Sequence, residues 1–458
     1  MSAAVNATPS QTPVPRAKSR FIFGNLPDYK SDMLNFEKTL ARERGDVVSY
    51  EMAFRHIHLI SHPDDVHKVL VSEADKFIKA PIYRALLSRF LGNGLLTSDG
   101  DFWKRQRKLA QPAFHFKRIQ TYAETMVNYT DTMLNGWQDG QTYDINRAMM
   151  HLTLNIVVKS LFNTEIGGQA DRIAHALTEV LEATTDGLNS VFQLMPAWVP
   201  IPRNLRNKRG VRQLDMVIHE IIEGRRGSEQ DTGDLLSMLM LAEDEDGSRM
   251  TDKQLRDEVV TLVLAGHETT ANALTWALYL LSQHPDVEAK LHAELETVLD
   301  GRTPTMADMK QLEYTSMVVK ETMRMYPPIP SFARQATVPV TLGGYDLPKE
   351  AIIVISPHVL HADPRWWDAP DQFRPERFSK ENEKLQHKYS YLPFGGGPRV
   401  CIGNSFAEME AVLLLARMAQ QYTLRLDPPD QTVIPEPTLT LRPLTPLTMK
   451  VQRNTRES

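Results

Sequence analysis

Apolar and polar residues alternate between Gly45 and Ser61, with Val47, Tyr50, Met52, Ile57 and Leu59 on the apolar beat and His56 and His58 between them. A period of two predicts a pair of antiparallel strands. His62–Pro63–Asp64 then predicts a short helix with Pro63 at its first position, where a missing N–H costs nothing. Beyond it the apolar period lengthens. Helices are predicted over Asp101–Ala110, Phe116–Trp137, Asn146–Phe162, Gln169–Thr185 and Arg212–Arg226, with a proline-rich loop at Pro196–Pro202 and an acidic loop at Glu243–Gly247.

The longest periodic element opens at Thr251–Asp–Lys–Gln254, a capping box in which Thr caps the helix and Gln reaches back. It ends near Gln283, because His284–Pro285 cannot continue it. Roughly 30 residues at ~1.5 Å each give ~45 Å, enough to cross a whole domain. Between Val259 and Leu281 it is apolar on nearly every side, so it is predicted to be buried. A membrane span would place His267, Glu268 and Asn272 in lipid at high cost, so a central helix of a large protein is the better reading.

Helices follow over Pro285–Leu299 and Ala307–Tyr326. Strand-like runs at Thr337–Leu342 and Ala351–Ile355 are read as joined through Gly343–Gly344. A proline-rich stretch runs from Pro357 to Pro398, a last helix covers Asn404–Gln421, and Thr438–Val451 alternates as a strand pair. The sum is mainly α, in an α+β layout with a small, mostly antiparallel sheet.

Composition narrows the functional classes. The chain has 458 residues, 42% hydrophobic and 24% charged, which suits a large core rather than disorder. Its net charge of −5 argues against a nucleic-acid binder. One cysteine, Cys401, excludes an intramolecular disulfide, a Cys₄ zinc site and an iron–sulfur cluster held by this chain alone. Residues 1–20 are polar, contain Pro13 and Pro15 and lack an apolar stretch. They are read as a flexible tail without signal or membrane anchor, ahead of one domain over 21–458, in a soluble cytoplasmic protein.

Four constellations could carry chemistry. Phe394–Gly–Gly–Gly–Pro–Arg399–Val–Cys401–Ile–Gly403 places a thiol on a glycine-rich loop, near a fixed cation and just before a helix. Helix amides can favour the thiolate. One thiolate cannot build a zinc site, but one axial thiolate suffices for haem iron. Ala265–Gly266–His267–Glu268–Thr269–Thr270 puts an acid and an alcohol in a buried helix, able to hand protons inward, with Gly266 read as making room. His267–Glu268 also opens a zinc-protease pattern, which fails because position 271 is Ala. Glu321 and Arg324, three apart, can pair on one helix face. Trp103 and Arg107, four apart, share a face of a helix that also carries Lys104, Arg105 and Lys108.

Together these motifs resemble those of the cytochrome P-450 family of haem-thiolate monooxygenases, and the resemblance covers about Phe21 to Asn454. It implies that family's fold, with a long central helix and a small β part. It implies haem b (iron protoporphyrin IX) with Cys401 as axial ligand, and dioxygen as co-substrate. Trp103, Arg107, Arg334 and Arg399 are then expected at the haem propionates, and Phe394 and Gly403 in the haem loop. Glu268 and Thr269 are expected to supply protons during oxygen activation. Glu321, Arg324 and Arg377, the last in Phe373–Arg–Pro–Glu–Arg377–Phe378, are expected to form a buried charge network. By position, Leu95, Leu96, Ala265, Ile329 and Leu439 would line an apolar substrate pocket.

The implied reaction inserts one oxygen atom into an apolar molecule, a fatty acid or a terpenoid-like compound. No flavin or dinucleotide site is evident; Gly395–Gly396–Gly397 fails as one because Val400 stands at the third glycine position. Electrons are therefore expected ultimately from NAD(P)H through a separate ferredoxin- or flavodoxin-type donor and its reductase. The basic face Lys104, Arg105, Arg107 and Lys108 is a candidate docking patch. A peroxide-driven enzyme, an isomerase or dehydratase, or a non-catalytic haem sensor on the same fold are the alternatives; the Glu268–Thr269 pair counts against the first, which usually lacks it, and Thr269 against the second, which tends to lose it.

Overall fold

The computed structural model describes residues 13–20, 23–52, 55–163, 201–226 and 233–454, together with 172–173, 176–177, 179–180 and 199. Most of the helix expected over Gln169–Thr185 and of the loop at Pro196–Pro202 lies outside the described residues. The chain forms two compact units. The first comprises Met1–Pro81, Ser331–Asp368 and His387–Val400; the second comprises Ile82–Pro330, Ala369–Gln386 and Cys401–Ser458.

The first unit is built on a five-stranded sheet in the order Val47–Met52, Arg55–Ile60, Ile352–Ile355, Phe332–Ala336, Phe77–Lys79. The first two strands are the antiparallel pair read from the alternating stretch, with Val47 opposite Ile60. Ile352–Ile355 is central, parallel to one neighbour and antiparallel to the other, and all four residues are buried. That explains its unbroken apolar run, since a strand covered on both faces does not alternate. Helix α1 (Met33–Arg44) packs on the Pro357–Leu360 turn that follows this strand. The core includes Val47, Ile60, Leu70, Phe77, Ile353, Ile355 and Leu392. Near the N-terminus, Pro15 and Ala17 hydrogen-bond to the backbone of Ser49.

Two expected pairings are corrected. Gly343–Gly344 closes a hairpin between Val340–Leu342 and Tyr345–Leu347, not with the 351–355 run. Both glycines have positive φ, +57° and +81°, the requirement of a two-residue hairpin turn. Thr438–Val451 does not pair with itself. Leu441–Pro443 pairs with Pro435–Pro437, whereas Thr448–Arg453 joins Tyr422–Leu426 and Thr142–Asp144 in a second-unit sheet. Pro443 and Pro446 lack the N–H groups that a continuous ladder would use.

The second unit is helical. Its principal helices are α2 (Gly100–Ala110), α3 (Ala123–Asn135), α4 (Ile145–Phe162), α5 (Pro202–Arg225), α6 (Asp252–Gln283), α7 (Pro285–Leu299), α8 (Glu313–Met325) and α9 (Asn404–Gln421). The run expected as one helix from Phe116 is broken by a 3₁₀ turn at Gln120–Tyr122, and that expected from Ala307 is broken before Glu313. The capping box at Thr251 and Gln254 is formed, and α6 spans 32 residues. It packs against α4, α5, α8 and α9. The apolar cluster around its first half includes Leu95, Val157, Leu214, Val259, Leu262 and Val263, with Trp103, Ile402 and Leu439 against it. The fold is thus mainly helical with a small sheet region, as the periodicities require. Among the described residues no helix is long and apolar enough to cross a membrane.

Candidate active site

Cys401 lies on the loop before α9, separated from the helix by Ile402 and Gly403, and is exposed, although the helix that follows is largely buried. Burial pushes the thiol above its usual range, while the Gly403 N–H and the charge of Arg107 pull the other way. The helix-end amides read as favouring a thiolate are present, but desolvation outweighs them. A lone sulfur with one N–H donor and one neighbouring cation supplies a single ligand, which suits a metal whose other positions are filled by a prosthetic group.

Arg107 lies half-buried on α2, and its Nε donates to Gln111 Oε1 at 2.8 Å. Burial lowers its pKa and Cys401 opposes that. Trp103, one turn earlier, packs its ring on the apolar cluster. Arg334, Phe394 and Arg399 belong to the first unit and are each partly buried. Arg334 sits in the sheet opposite Lys79 and Ile353, with its guanidinium 5.1 Å from the Phe332 ring centroid. In the same loop Gly397 has φ +66°, and a Cβ there would collide with the Leu70 carbonyl, so glycine is required.

Helix α6 is buried from Val259 to Leu264 and from Thr270 to Leu278, yet Ala265 is exposed and Gly266 and Thr269 are partly so. Residues four apart share a face, so Ala265 and Thr269 open one turn of a buried helix onto accessible space. The Thr269 hydroxyl donates to Ala265 O at 2.8 Å, leaving its oxygen as an acceptor. Gly266 does not make the room expected of it. A Cβ there would lie 2.8 Å from Val157 Cγ2 on α4, so its bareness serves helix packing.

Glu268 is buried and accepts from the Thr440 hydroxyl at 2.7 Å. Thr440 in turn accepts from Asn272 Nδ2 at 3.1 Å, and Asn272 Oδ1 accepts from Asn146 Nδ2 at 3.1 Å. Asn272, one turn after Glu268, was legible from helical spacing; Thr440, 172 residues distant, carries no local signal. His267 is buried on the other side, its Nδ1 2.9 Å from Val263 O, and burial pushes its pKa down. A further acid had no motif to mark it: Glu410 on α9 is fully buried beside Thr270, its pKa pushed up to about 8 by burial.

Glu321, Arg324 and Arg377 meet in a dry cluster. Arg324 binds Glu321 through Nε and Nη2 at 2.7 and 2.9 Å, and Arg377 Nε reaches Glu321 Oε1 at 3.2 Å. Arg324 Nη2 and Arg377 Nη2 also donate to the carbonyls of Pro370 and Ala369, at 2.8 and 2.7 Å. Of the pocket candidates, Leu95 is buried, Leu96 is 39% exposed, and Ile329 and Leu439 are partly buried.

The basic face of α2 is partly neutralised by the acidic loop. Arg105 binds Asp244 and Ser248 at 2.9 and 2.8 Å, and Lys108 binds Glu245 at 2.5 Å. Lys104 pairs with the exposed Asp101 at 2.9 Å.

The family model for cytochrome P450 matches residues 14–451. Among known proteins, cyclooctatin synthase of Streptomyces melanosporofaciens is 39% identical over 400 residues, covering 87% of this chain and 86% of the relative. Cyclooctat-9-en-7-ol 5-monooxygenase of the same organism is 35% identical, covering 83% of each. Pentalenene oxygenase of Streptomyces avermitilis is 32% identical, covering 86% of this chain and 87% of the relative. A family match over residues 14–451, with relatives 32–39% identical over more than four fifths of the chain, means that the chain belongs to the cytochrome P450 family of monooxygenases.

Proposed function

We propose that this enzyme is a haem-thiolate hydroxylase or epoxidase of an apolar, terpenoid-like substrate, working as one haem domain over residues 21–458. The observation that carries it is the exposed Cys401 thiol, the chain's one cysteine, with the Gly403 N–H and the charge of Arg107 acting on it. These residues fit haem b: Cys401 would hold the iron through its sulfur, and Trp103 and Arg107 would bind a propionate through an indole N–H and a guanidinium fork. Arg334, Phe394, Arg399 and Gly403 remain proposed haem contacts on the family pattern.

When bound, the haem supplies reductive activation of dioxygen, one atom going to the substrate and the other leaving as water after uptake of two electrons and two protons. The protein's part is positional. Thr269, its own proton committed to Ala265 O, can accept a hydrogen bond on the open turn of α6. Glu268, held by Thr440, keeps a proton-transfer group one residue away. Leu95, Leu96, Ala265, Ile329 and Leu439 would exclude water and admit apolar molecules. The relatives named for pentalenene and cyclooctat-9-en-7-ol favour a cyclic olefinic compound over a fatty acid.

Electrons would come from NAD(P)H through a separate ferredoxin- or flavodoxin-type carrier and its reductase, in the cytoplasm. The test is spectral and chemical. The reduced, carbon-monoxide-bound protein should show the red-shifted band of a thiolate ligand, and Cys401→Ser should lose it. Titration with cyclic terpenoids should shift the spectrum, and product should require both dioxygen and the electron carrier. Turnover that needs only peroxide and ignores the carrier would defeat the proposal.

A further inference from the structure

Residues 92–98 link the helix Pro81–Leu91 to α2. They form a compact turn, with the Thr97 hydroxyl donating to Gly92 O at 2.8 Å and the Ser98 N–H to Gly94 O at 2.9 Å. The turn is fastened to α6 by two buried carboxylates. The Asn93 N–H donates to Asp257 Oδ2 at 2.8 Å, and the Leu95 N–H to Glu258 Oε2 at 2.9 Å. The approach is close: a Cβ on Gly94 would lie 2.7 Å from the Asp257 carbonyl oxygen.

Asp257 is only 4% exposed, and its charge is met by Arg256 Nη1 at 2.9 Å. The same guanidinium binds Asp215 on α5, through Nε at 2.7 Å. One arginine therefore ties α5 to the carboxylate that holds the turn. Glu258 and Ala265 are seven residues apart, about two helical turns on one face and ~10 Å along the axis. Leu95, pinned over Glu258, and the exposed Leu96 thus lie about two helical turns before the open turn, on the same side of α6.

We infer that Asp215, Arg256 and Asp257 form a latch that sets how readily the 92–98 turn lifts from α6, and so which molecules reach the Ala265 face and how fast. This rests on the haem-enzyme reading. Arg256 and Asp215 are positioning residues, since neither touches the proposed ligand. Removing the arginine leaves Asp257 as a buried charge without this partner, and water drawn to it competes with the Asn93 N–H. Asp215 is half-exposed, so salt should loosen that end first.

The test uses the haem-loaded protein and its Asp215→Asn and Arg256→Gln variants. Asp215→Asn alters a half-exposed side chain and should fold even where Arg256→Gln does not. Amide hydrogen exchange is followed at Asn93 and Leu95. Stopped-flow binding to the ferric protein is measured for imidazole and 4-phenylimidazole, which share a coordinating nitrogen and differ in bulk. Expected is faster exchange at both amides, with on- and off-rates for 4-phenylimidazole raised together by about fivefold, the scale of one ordinary hydrogen bond. Imidazole rates should hold. Unchanged exchange in a folded variant, or equal acceleration of both imidazoles, would overturn the latch. A wild-type chain that takes up no haem would instead sink the haem reading, and exchange at Asn93 and Leu95 would still decide the latch.

Discussion

The Thr440 hydroxyl, from the C-terminal segment, donates to the carboxylate of Glu268 in the middle of α6 at 2.7 Å. The bond orients an acid that its own helix leaves free to rotate. Thr440→Val keeps the volume and removes the donor. Product formed per electron pair should fall about tenfold, a modest part of the 10²–10⁴ that a placed acid–base group can supply. Thr440→Ser should restore it. Product yield and the solvent isotope effect are the readouts, and full coupling in the valine variant would contradict this role.

Arg324→Ala should yield protein that binds no haem. It strands Glu321, which is wholly buried and also accepts from Arg377 and the Arg374 N–H. Breaking a buried pair from one side costs about 3–5 kcal/mol. Haem content and thermal unfolding measure it, and normal haem content would contradict the assignment.

Gly266→Ala sets a methyl against Val157, 2.8 Å away in the packed α4–α6 contact. Overpacking of this kind costs about 1–3 kcal/mol. Val157→Ala should recover most of the loss in the double variant. Urea midpoints of the four proteins test the pairing, and simple additivity would exclude it.

Glu410 gives a pH dependence whose sign is set by burial. Its pKa stands near 8 in the folded chain against an ordinary value of 4.5, so between those pH values only the unfolded chain ionises. Stability is complete below 4.5, falls as pH rises towards 8, and is level above. Glu410→Gln removes this slope. Relative to the wild type it should gain on the order of a few kcal/mol between pH 5 and 8. Equal pH dependence in both proteins would refute it.

Lys104→Glu should slow haem reduction by the electron carrier at low salt and leave it nearly unchanged at high salt. Lys104 is the test position because its partner, Asp101, is itself exposed, whereas Arg105 and Lys108 are engaged by the acidic loop. An unaltered rate at low salt would remove α2 as the docking face.

Local rules made much of this protein legible. The period of two gave the strand pair at Val47 and Arg55, and the capping box and His284–Pro285 bounded α6, because caps and proline act within a few residues. The Cys401 loop, the α6 motif and the Glu321–Arg324 pair were likewise readable, since each needs particular residue types at short spacing. Tertiary structure decided the rest. Whether Gly266 makes room or contact, what holds Glu268, and how far the acidic loop already engages the cations of α2 all depend on residues more than a hundred positions apart. No short-range pattern encodes those meetings; they arise where burial leaves a polar group only one partner within reach.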